Sequence, residues 1–270
     1  MPMNNRILRP LARPLLLDAV PGAAAAYSLR QLSNAYTGPV VTVRRSSDNA
    51  EEDFKASEID DGTLTAFCGA GNGLVKTWHD QSGNGRDASQ ATSSLQPRCV
   101  ASGTLTVDSN TSLPALEFRP AAAVESSLDL SLIDNIQHIY ALARNDNTVF
   151  VNITRNSSAN DLRGFFIRLA PDKFNLQQIG SSPQTHPFLI STGETHLLYV
   201  SASGTESQYG MDGAVAAPEA ETDFIQVSQI GKYHTSTFNL KGFLSELIMY
   251  QTPLSGTLQR RIEGDIAWYY

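Results

Sequence analysis

The stretch that most constrains the fold is Trp78–Gln90, which reads WHDQSGNGRDASQ. It begins at the end of Leu74–Trp78, an apolar and β-branched run that is typical of a strand. Its centre is rich in Gly and Asn, which tolerate the positive φ angles of tight turns. Aspartates on both sides can accept hydrogen bonds from free backbone N–H groups. We therefore predict a structural turn between strands, formed by Asp80, Ser82, Gly83, Asn84, Gly85 and Asp87.

The rest of the chain predicts an all-β fold. Short apolar or alternating runs recur about every ten residues with turn residues between them, and no long helical pattern separates them, so an antiparallel sandwich is favoured over a βαβ fold. The clearest strands are Val40–Arg44, Ala115–Phe118, Ile136–Leu142, Val149–Ile153, Phe165–Leu169, His196–Val200, Ile225–Ile230 and Gly242–Tyr250.

Two helices are expected beside the strands. Ala23–Ala35 is rich in alanine and predicts a short N-terminal helix. Ser255–Tyr269 carries Leu258, Ile262 and Ile266 four residues apart, which predicts an amphipathic closing helix. We expect residues 23–270 to form one domain.

Residues 1–22 are expected to form an extended arm. Prolines at positions 2, 10, 14 and 21 disfavour both a helix and a central strand. A signal peptide is a weaker alternative, because the prolines interrupt the segment and Asp18 shortens its apolar part. The arm is basic and apolar, which suits docking on other subunits. Its anchoring residues would be Arg6, Arg9, Arg13, Leu15, Leu16 and Leu17.

Composition and charge exclude several classes of function. The 270 residues carry a formal net charge of −7, which argues against binding nucleic acid through phosphate contacts. No apolar run approaches the roughly 20 residues needed to insert into a membrane. Cys68 and Cys99 have no metal-ligand spacing; they form either one disulfide bridge or two reduced thiols. We expect no metal and no other cofactor.

Ala24–Pro97 resembles the N-terminal half of the catalytic module of the α-L-arabinofuranosidase B family. The resemblance rests on a Tyr-Ser pair, the Arg-Arg-Ser-Ser-Asp string and the Asp-Gln-Ser-Gly-Asn-Gly string, in that order and at similar separations. Similar stretches occur in tailed-phage virion proteins. Residues 242–270 resemble the final strand and helix of laminin-G-like and concanavalin A-like jelly rolls. The resemblance implies a concanavalin A-like jelly-roll β-sandwich.

The resemblance also implies a retaining glycosidase with two carboxylates about 5 Å apart. The family's nucleophile lies in a Gly-Asn-Ala-Glu segment in the middle of the module, for which this chain has no counterpart. Asp48-Asn49-Ala50-Glu51 is not that segment, because it belongs to the earlier Arg-Arg-Ser-Ser-Asp string. The acid/base is expected near Ile230–His234, which contains no carboxylate. We therefore expect no catalytic residues.

Other candidates for chemistry are isolated. Glu246 is either a buried acid with a raised pKa, on the same strand face as Leu244 and Ile248, or a structural carboxylate, and the second is favoured. Glu117 poses the same choice. The histidines at positions 79, 138, 186, 196 and 234 show no paired metal-ligand spacing. The turn partly matches a calcium loop, but Ala91 stands where a bidentate glutamate is needed.

The resemblance to virion proteins implies a tailed-phage particle, and the missing catalytic pair then predicts a non-catalytic structural or adhesion protein of that particle, as a tail or fibre component or a capsid decoration. It would be made in the host cytoplasm and incorporated into the virion. Expected partners are other virion proteins through the arm, sister copies in a homo-oligomer, and host glycan. The alternative is a glycoside hydrolase of arabinofuranosidase type. The candidate carbohydrate-binding residues are Trp78, Asp80, Asn84, Tyr209 and Tyr233.

Overall fold

A computed structural model describes residues 13–118, 125–146, 151–155, 164–167, 188, 190–220, 224–232 and 239–270. All strand pairings in these residues are antiparallel. The strands are β1 (Ala25–Ser28), β2 (Val41–Arg45), β3 (Glu51–Phe54), β4 (Gly73–Trp78), β5 (Ala88–Ser89), β6 (Arg98–Ala101), β7 (Thr104–Leu105), β8 (Leu116–Phe118), β9 (Leu128–Ile136), β10 (His138–Asn145), β11 (Val151–Arg155), β12 (Gly164–Ile167), β13 (Thr195–Ala202), β14 (Glu206–Met211), β15 (Ala214–Val215), β16 (Glu219–Ala220), β17 (Ile225–Ile230) and β18 (Gly242–Tyr250). The helices are α1 (Leu16–Ala19), α2 (Ala56–Asp60), α3 (Thr63–Cys68) and α4 (Gly256–Tyr269).

The strands form two layers, which confirms the predicted β-sandwich, and the layers are hydrogen-bonded to each other at one place because β8 pairs with β18 of the first and with β6, which pairs with β4 of the second. In the first sheet β1, β18, β10, β13 and β14 are neighbours in that order. In the second sheet the order of neighbouring strands is β3, β2, β4, β5, β9, β17, β11 and β12. Apolar side chains from both sheets, including Trp78, Val227 and Leu247, meet in one core between the layers.

The first sheet is covered on both faces, so its central strands read as almost continuous apolar runs. In β10, Ile139 and Ala141 face the inner core, whereas Tyr140 and Leu142 face a second cluster on the outer side. That outer cluster is closed by α1 and α4. The closing helix was predicted correctly: Ile262 and Ile266 are buried in the outer cluster, and Ser255 caps the helix by accepting a hydrogen bond from the N–H of Leu258.

The predicted helix over Ala23–Ala35 is wrong, because this segment contains β1. Each residue of β1 pairs with β18, from Ala25 opposite Met249 to Ser28 opposite Glu246. The small alanine side chains fit between two covered faces, and the ladder to β18 outweighs the helical propensity of alanine. The short N-terminal helix is α1 instead. Its residues Leu16 and Leu17 are buried in the outer cluster, so this part of the predicted arm is neither extended nor free of the domain.

A buried ion cluster joins β18, the segment after β1, and α4. Arg30 donates from Nε to Glu246 Oε2 at 2.7 Å and from Nη2 to Glu246 Oε1 at 2.9 Å. The same Nη2 donates to Asp265 Oδ1 at 2.9 Å. Glu246 is completely buried and Asp265 is 4% exposed. Arg30 therefore pairs with both carboxylates beneath the helix, and Arg13 supplies a second positive charge, with its Nε 3.5 Å from Asp265 Oδ2.

The expected orientation of Glu246 was wrong in one respect. A β-bulge between β18 and β10 lies beside Ser245, because Leu142 pairs with Glu246 whereas Ala143 pairs with Leu244. The extra residue places Leu244 in the inner core, while Glu246 points outward with Ile248. Glu246 is therefore an ion-paired structural carboxylate. Glu117 is also paired, since Arg98 Nη2 donates to its Oε2 at 2.6 Å.

Replacing Arg30 with Leu is expected to lower the free energy of unfolding by about 3–5 kcal/mol, because it leaves a buried carboxylate uncompensated. Urea unfolding followed by circular dichroism measures the change. Lys76→Met is the matched control: it breaks the exposed Lys76–Glu51 pair and should cost less than about 1 kcal/mol. An Arg30→Leu cost as small as the control's would refute the structural role of the cluster.

His138 predicts a pH dependence of stability. Its Nε2 accepts a hydrogen bond from the N–H of Leu254 at 2.9 Å, which requires a neutral ring, and burial lowers the pKa of His138 from 6.5 to about 4. The unfolded chain binds this proton more readily, so His138 lowers stability as the pH falls below 6.5. Its contribution should be a loss of about 2 kcal/mol between pH 7 and pH 5. Urea unfolding at both pH values should show a smaller loss for His138→Gln; equal losses would contradict the assignment.

Candidate functional site

The turn after β4 is organised by the carboxylate of Asp80, which is 2% exposed. It accepts hydrogen bonds from the N–H groups of Ala26 at 2.9 Å, Ser82 at 2.9 Å and Arg86 at 3.1 Å, and from the hydroxyl of Ser82 at 2.7 Å. N–H donors converge on both carboxylate oxygens, so they occupy the positions that a calcium ion would need. Asp80 connects the turn to β1.

The neighbouring polar residues hold the segments on either side of β1. The side-chain amide of Gln81 donates to Ser28 O and Arg30 O, and its oxygen accepts from the N–H of Leu32. Asn84 Nδ2 donates to the carbonyls of Ala23 and Ala24. The turn itself needs its glycines, since Gly83 and Gly85 have φ angles of 88° and 66°.

His79 and Asp87 close the other side of the turn. His79 Nδ1 lies 3.1 Å from Asp87 Oδ2, and the N–H of Asp80 donates to Asp87 Oδ1 at 2.9 Å. The hydrogen bond from His79 is the largest cause that lowers the pKa of Asp87. These contacts make the turn a brace between β1 and β4.

Three of the five predicted carbohydrate-binding residues are buried and out of reach of a ligand. Trp78 is completely buried, and Asp80 and Tyr209 are each 2% exposed. The Tyr209 hydroxyl lies 2.7 Å from Ser207 Oγ. Asn84 is exposed, but its amide donates to backbone carbonyls. Tyr233 lies outside the described residues. The burial of Trp78 and Tyr209 leaves neither ring open for a sugar to stack on, which corrects the prediction for these two residues.

The structure describes four of the six predicted anchoring residues. Arg6 and Arg9 lie outside the described residues. Arg13 is exposed and lies 3.5 Å from Asp265 in an ion pair, while Leu15 is half-buried and Leu16 and Leu17 are buried. From Arg13 onward, these residues pack on their own domain.

The histidines and cysteines of the described chain show no metal cluster. No group of three or more His, Cys, Asp or Glu residues in the described ranges could hold a metal ion. His186 and His234 fall outside those ranges. Cys68 and Cys99 are buried free thiols, and burial raises the pKa of Cys68 to about 11.

Among the described helices, none is both long and apolar enough to cross a bilayer.

A groove of about 550 Å³ lies between α4 and the outer face of the first sheet, and we call it the α4 groove. Its apolar surface comes from β10, β13 and the inner side of α4. Polar groups converge on it from the helix, from the turn between β14 and β15 and from nearby strands. The residues around it are Thr111, Leu142, Thr195, Leu197, Asp212, Gly213, Arg260, Glu263, Gly264, Ile266, Ala267 and Tyr270. This combination of size and lining is typical of a small-molecule site.

Asp212 is held at one side of the α4 groove. Its Oδ1 accepts a hydrogen bond from the N–H of Leu197 at 2.9 Å, and its Oδ2 lies 2.7 Å from His196 Nδ1. The residue sits in a tight turn with a φ angle of 52°, followed by Gly213 at 81°. These contacts fix the carboxylate at the groove.

Glu263 lies on the helical side of the same groove. Burial raises the pKa of its carboxyl group, and nearby Arg260 lowers it to a smaller extent. A carboxyl with a raised pKa keeps its proton to higher pH and is suited to act as a general acid. Glu263 and Asp212 together give the α4 groove the residue types that glycoside hydrolysis needs.

Sequence reasoning missed both residues, although a signal for each was present. Asp212-Gly213 is a hairpin signal between two short runs, and it corresponds to the turn between β14, which was not predicted, and β15. Glu263 lies on the predicted closing helix, one residue after the buried Ile262. Nothing in the chain order indicated that these two positions face one groove.

The fold is similar to that of α-L-arabinofuranosidases of known structure. Over 93% of this chain and 64% of the other, it superposes on a GH54 α-L-arabinofuranosidase mutant soaked with 4-nitrophenyl α-L-arabinofuranoside, with a TM-score of 0.62 and 14% identity. A second similar structure, with the same coverage, is an arabinofuranosidase complexed with arabinofuranosyl-α-1,2-xylobiose, with a TM-score of 0.61 and 15% identity. The chain therefore spans somewhat less than two thirds of these structures.

Residues 17–117 match the family model described as α-L-arabinofuranosidase B, catalytic. The match extends the resemblance seen at Ala24–Pro97 in both directions. No curated protein matches the chain.

These comparisons correct the functional expectation. The interpretation as a non-catalytic tailed-phage protein, whether tail, fibre or capsid decoration, is wrong: the family match and the similar structures point to arabinofuranosidases, and none of them indicates a phage structural role. The alternative of an arabinofuranosidase-type glycoside hydrolase is better supported.

The bracing role of the turn predicts a stability effect for Asp80→Asn. Asparagine keeps one acceptor oxygen, but the NH2 group that replaces the other oxygen cannot accept the two hydrogen bonds that converge there, so we expect the free energy of unfolding to fall by about 2–3 kcal/mol. Urea unfolding measures it. Asp61→Asn is the matched control, because Asp61 is exposed and accepts a local bond from Thr63; its cost should stay below about 1 kcal/mol. An unchanged Asp80→Asn midpoint would contradict the bracing role.

Proposed function

We propose that the chain is a glycoside hydrolase of arabinofuranosidase type that removes terminal α-L-arabinofuranosyl groups. The observation that carries this proposal is the match of residues 17–117 to the catalytic family model. The similarity in fold over 93% of the chain supports it, because the sandwich extends well beyond the matched segment.

The α4 groove offers a concrete place for the reaction. In glycoside hydrolysis one carboxyl group protonates the leaving oxygen while the glycosidic bond breaks. The second carboxylate either attacks the anomeric carbon or activates the water that supplies the new hydroxyl group. Glu263 is the candidate acid because burial raises its pKa. Asp212, held by Leu197 and His196, is the candidate second carboxylate.

The positions implied by the family resemblance give no competing pair in the described residues. Of the segment expected to carry the acid/base, Ile230, Gly231 and Lys232 are described and none is a carboxylate. Tyr233 and His234, and much of the middle of the chain, lie outside the described ranges. Asp212 and Glu263 are therefore the first residues to substitute.

Purified protein is expected to release 4-nitrophenol from 4-nitrophenyl α-L-arabinofuranoside, the compound soaked into one of the similar structures. Glu263→Gln and Asp212→Asn should each lower the rate about 100-fold or more, because each removes one of the two reacting carboxyl groups. Absorbance of the released phenol measures the rate.

The matched control is Glu52→Gln, which changes an exposed glutamate on β3 and should leave the rate unchanged. No release by the folded parent protein would refute the proposed activity. Release that survives both groove substitutions would keep the activity and remove the α4 groove as its site.

A further inference from the structure

Trp268 is the most exposed of the large apolar residues in the described chain. Its side chain is 71% exposed, although the same helix buries Ile262 and Ile266 in the outer cluster. The guanidinium carbon of Arg13 lies 5.1 Å from the centroid of the Trp268 ring. This contact orients the ring while leaving most of its surface open.

Trp268 borders a second groove, of about 430 Å³, which we call the Trp268 groove. The groove runs between the end of α4, helix α2, the segment before α1 and the segment after β1. Tyr269 provides a second ring, and Arg30 lies 4.5 Å from the centroid of that ring. Two aromatic side chains therefore flank one depression.

The polar groups of the Trp268 groove are held in place. Arg30 is fixed by two bonds to Glu246 and one to Asp265, and Asp265 also faces Arg13 at 3.5 Å. Because these side chains are already ordered, binding a ligand would not cost the conformational entropy of immobilising them. Gln31, Ser57 and Asp60 add an amide, a hydroxyl and a carboxylate around the groove.

The charges of this lining select the kind of ligand. Two arginines, Arg13 and Arg30, are balanced by two aspartates, Asp60 and Asp265. A balanced lining favours neither a phosphate nor a free cation. A neutral ligand with many hydroxyl groups and one apolar face matches both the fixed donors and acceptors and the exposed indole ring.

We propose that the Trp268 groove is a saccharide-binding subsite, separate from the α4 groove, in which Trp268 stacks on a sugar ring. The proposal rests on the proposed function only for the choice of sugar, an arabinose-containing oligosaccharide. A subsite of this kind would hold a polymeric substrate without taking part in bond cleavage.

Tryptophan fluorescence tests the proposal directly, because the chain has two tryptophans and Trp78 is completely buried. Changes in emission and in quenching by acrylamide therefore report on Trp268. Titration with arabinofuranosyl-xylobiose, the sugar bound in one of the similar structures, should give a saturable change and protection from acrylamide. Glucose at the same concentration serves as the control for a non-specific polyol effect. No saturable change up to about 10 mM, where a Kd of order 1 mM would give near saturation, would overturn the proposal.

Replacing Trp268 removes the fluorescent probe, so affinity electrophoresis in gels containing arabinoxylan is used to compare the variants. Trp268→Ala should weaken retardation about tenfold, equivalent to about 1.4 kcal/mol. Leu132→Ala, which removes another exposed apolar side chain at 52% exposure, should have no effect. Equal retardation of both variants and the parent would refute the role of Trp268.

Two further measurements separate this proposal from other outcomes. Glu263→Gln and Asp212→Asn should show the same sugar-induced protection of Trp268 from acrylamide as the parent, whatever their effect on hydrolysis, so failure of the activity leaves the result at Trp268 intact. Deleting residues 1–12 distinguishes a sugar from the chain's own N-terminus as the occupant. If acrylamide reaches Trp268 only after that deletion, the N-terminal segment covers the groove and the saccharide proposal is wrong.

Discussion

The ion cluster of Arg30, Glu246 and Asp265 determines where the closing helix sits. Burying charged groups is costly unless each meets a partner, so α4 can close on the first sheet only where Asp265 reaches Arg30 and Arg30 reaches Glu246. That placement brings Ile262 and Ile266 onto the outer cluster. Both grooves border α4, and their shapes therefore depend on the same three side chains.

The bulge in β18 is what makes this cluster possible. Without the extra residue at Ser245, strict alternation would place Glu246 on the same face as Leu244, inside the apolar core. A carboxylate there would lack the arginine, because Arg30 approaches from the outer side with α4. A single irregularity in one strand thus converts an unfavourable core residue into the anchor of a helix.

The features that sequence reasoning predicted well are those that depend on local pattern. The four-residue spacing of Leu258, Ile262 and Ile266 identified α4, and apolar or alternating runs identified nine of the 18 described strands, including β17 with its observed bounds. Ala25–Ser28 failed because pairing with a strand more than 200 residues away decides its conformation. The irregular register of β9 against β17 hides the usual alternation, so β9 was missed. Glu246 could not be assigned a partner because Arg30 lies 216 positions earlier.

The segment that carries the family match and the groove that carries candidate chemistry are largely different parts of the chain. Residues 17–117 contain the Asp80 turn, whose side chains bond to the backbone around β1 and are occupied in bracing it. Of the residues around the α4 groove, Thr111 alone lies in the matched segment. The Trp268 groove spans both parts, joining Arg30, Gln31 and Asp60 to the end of α4. The turn that identifies the fold therefore acts on function indirectly: it holds β1 against β18, which places Arg30 and hence the helix that borders both grooves.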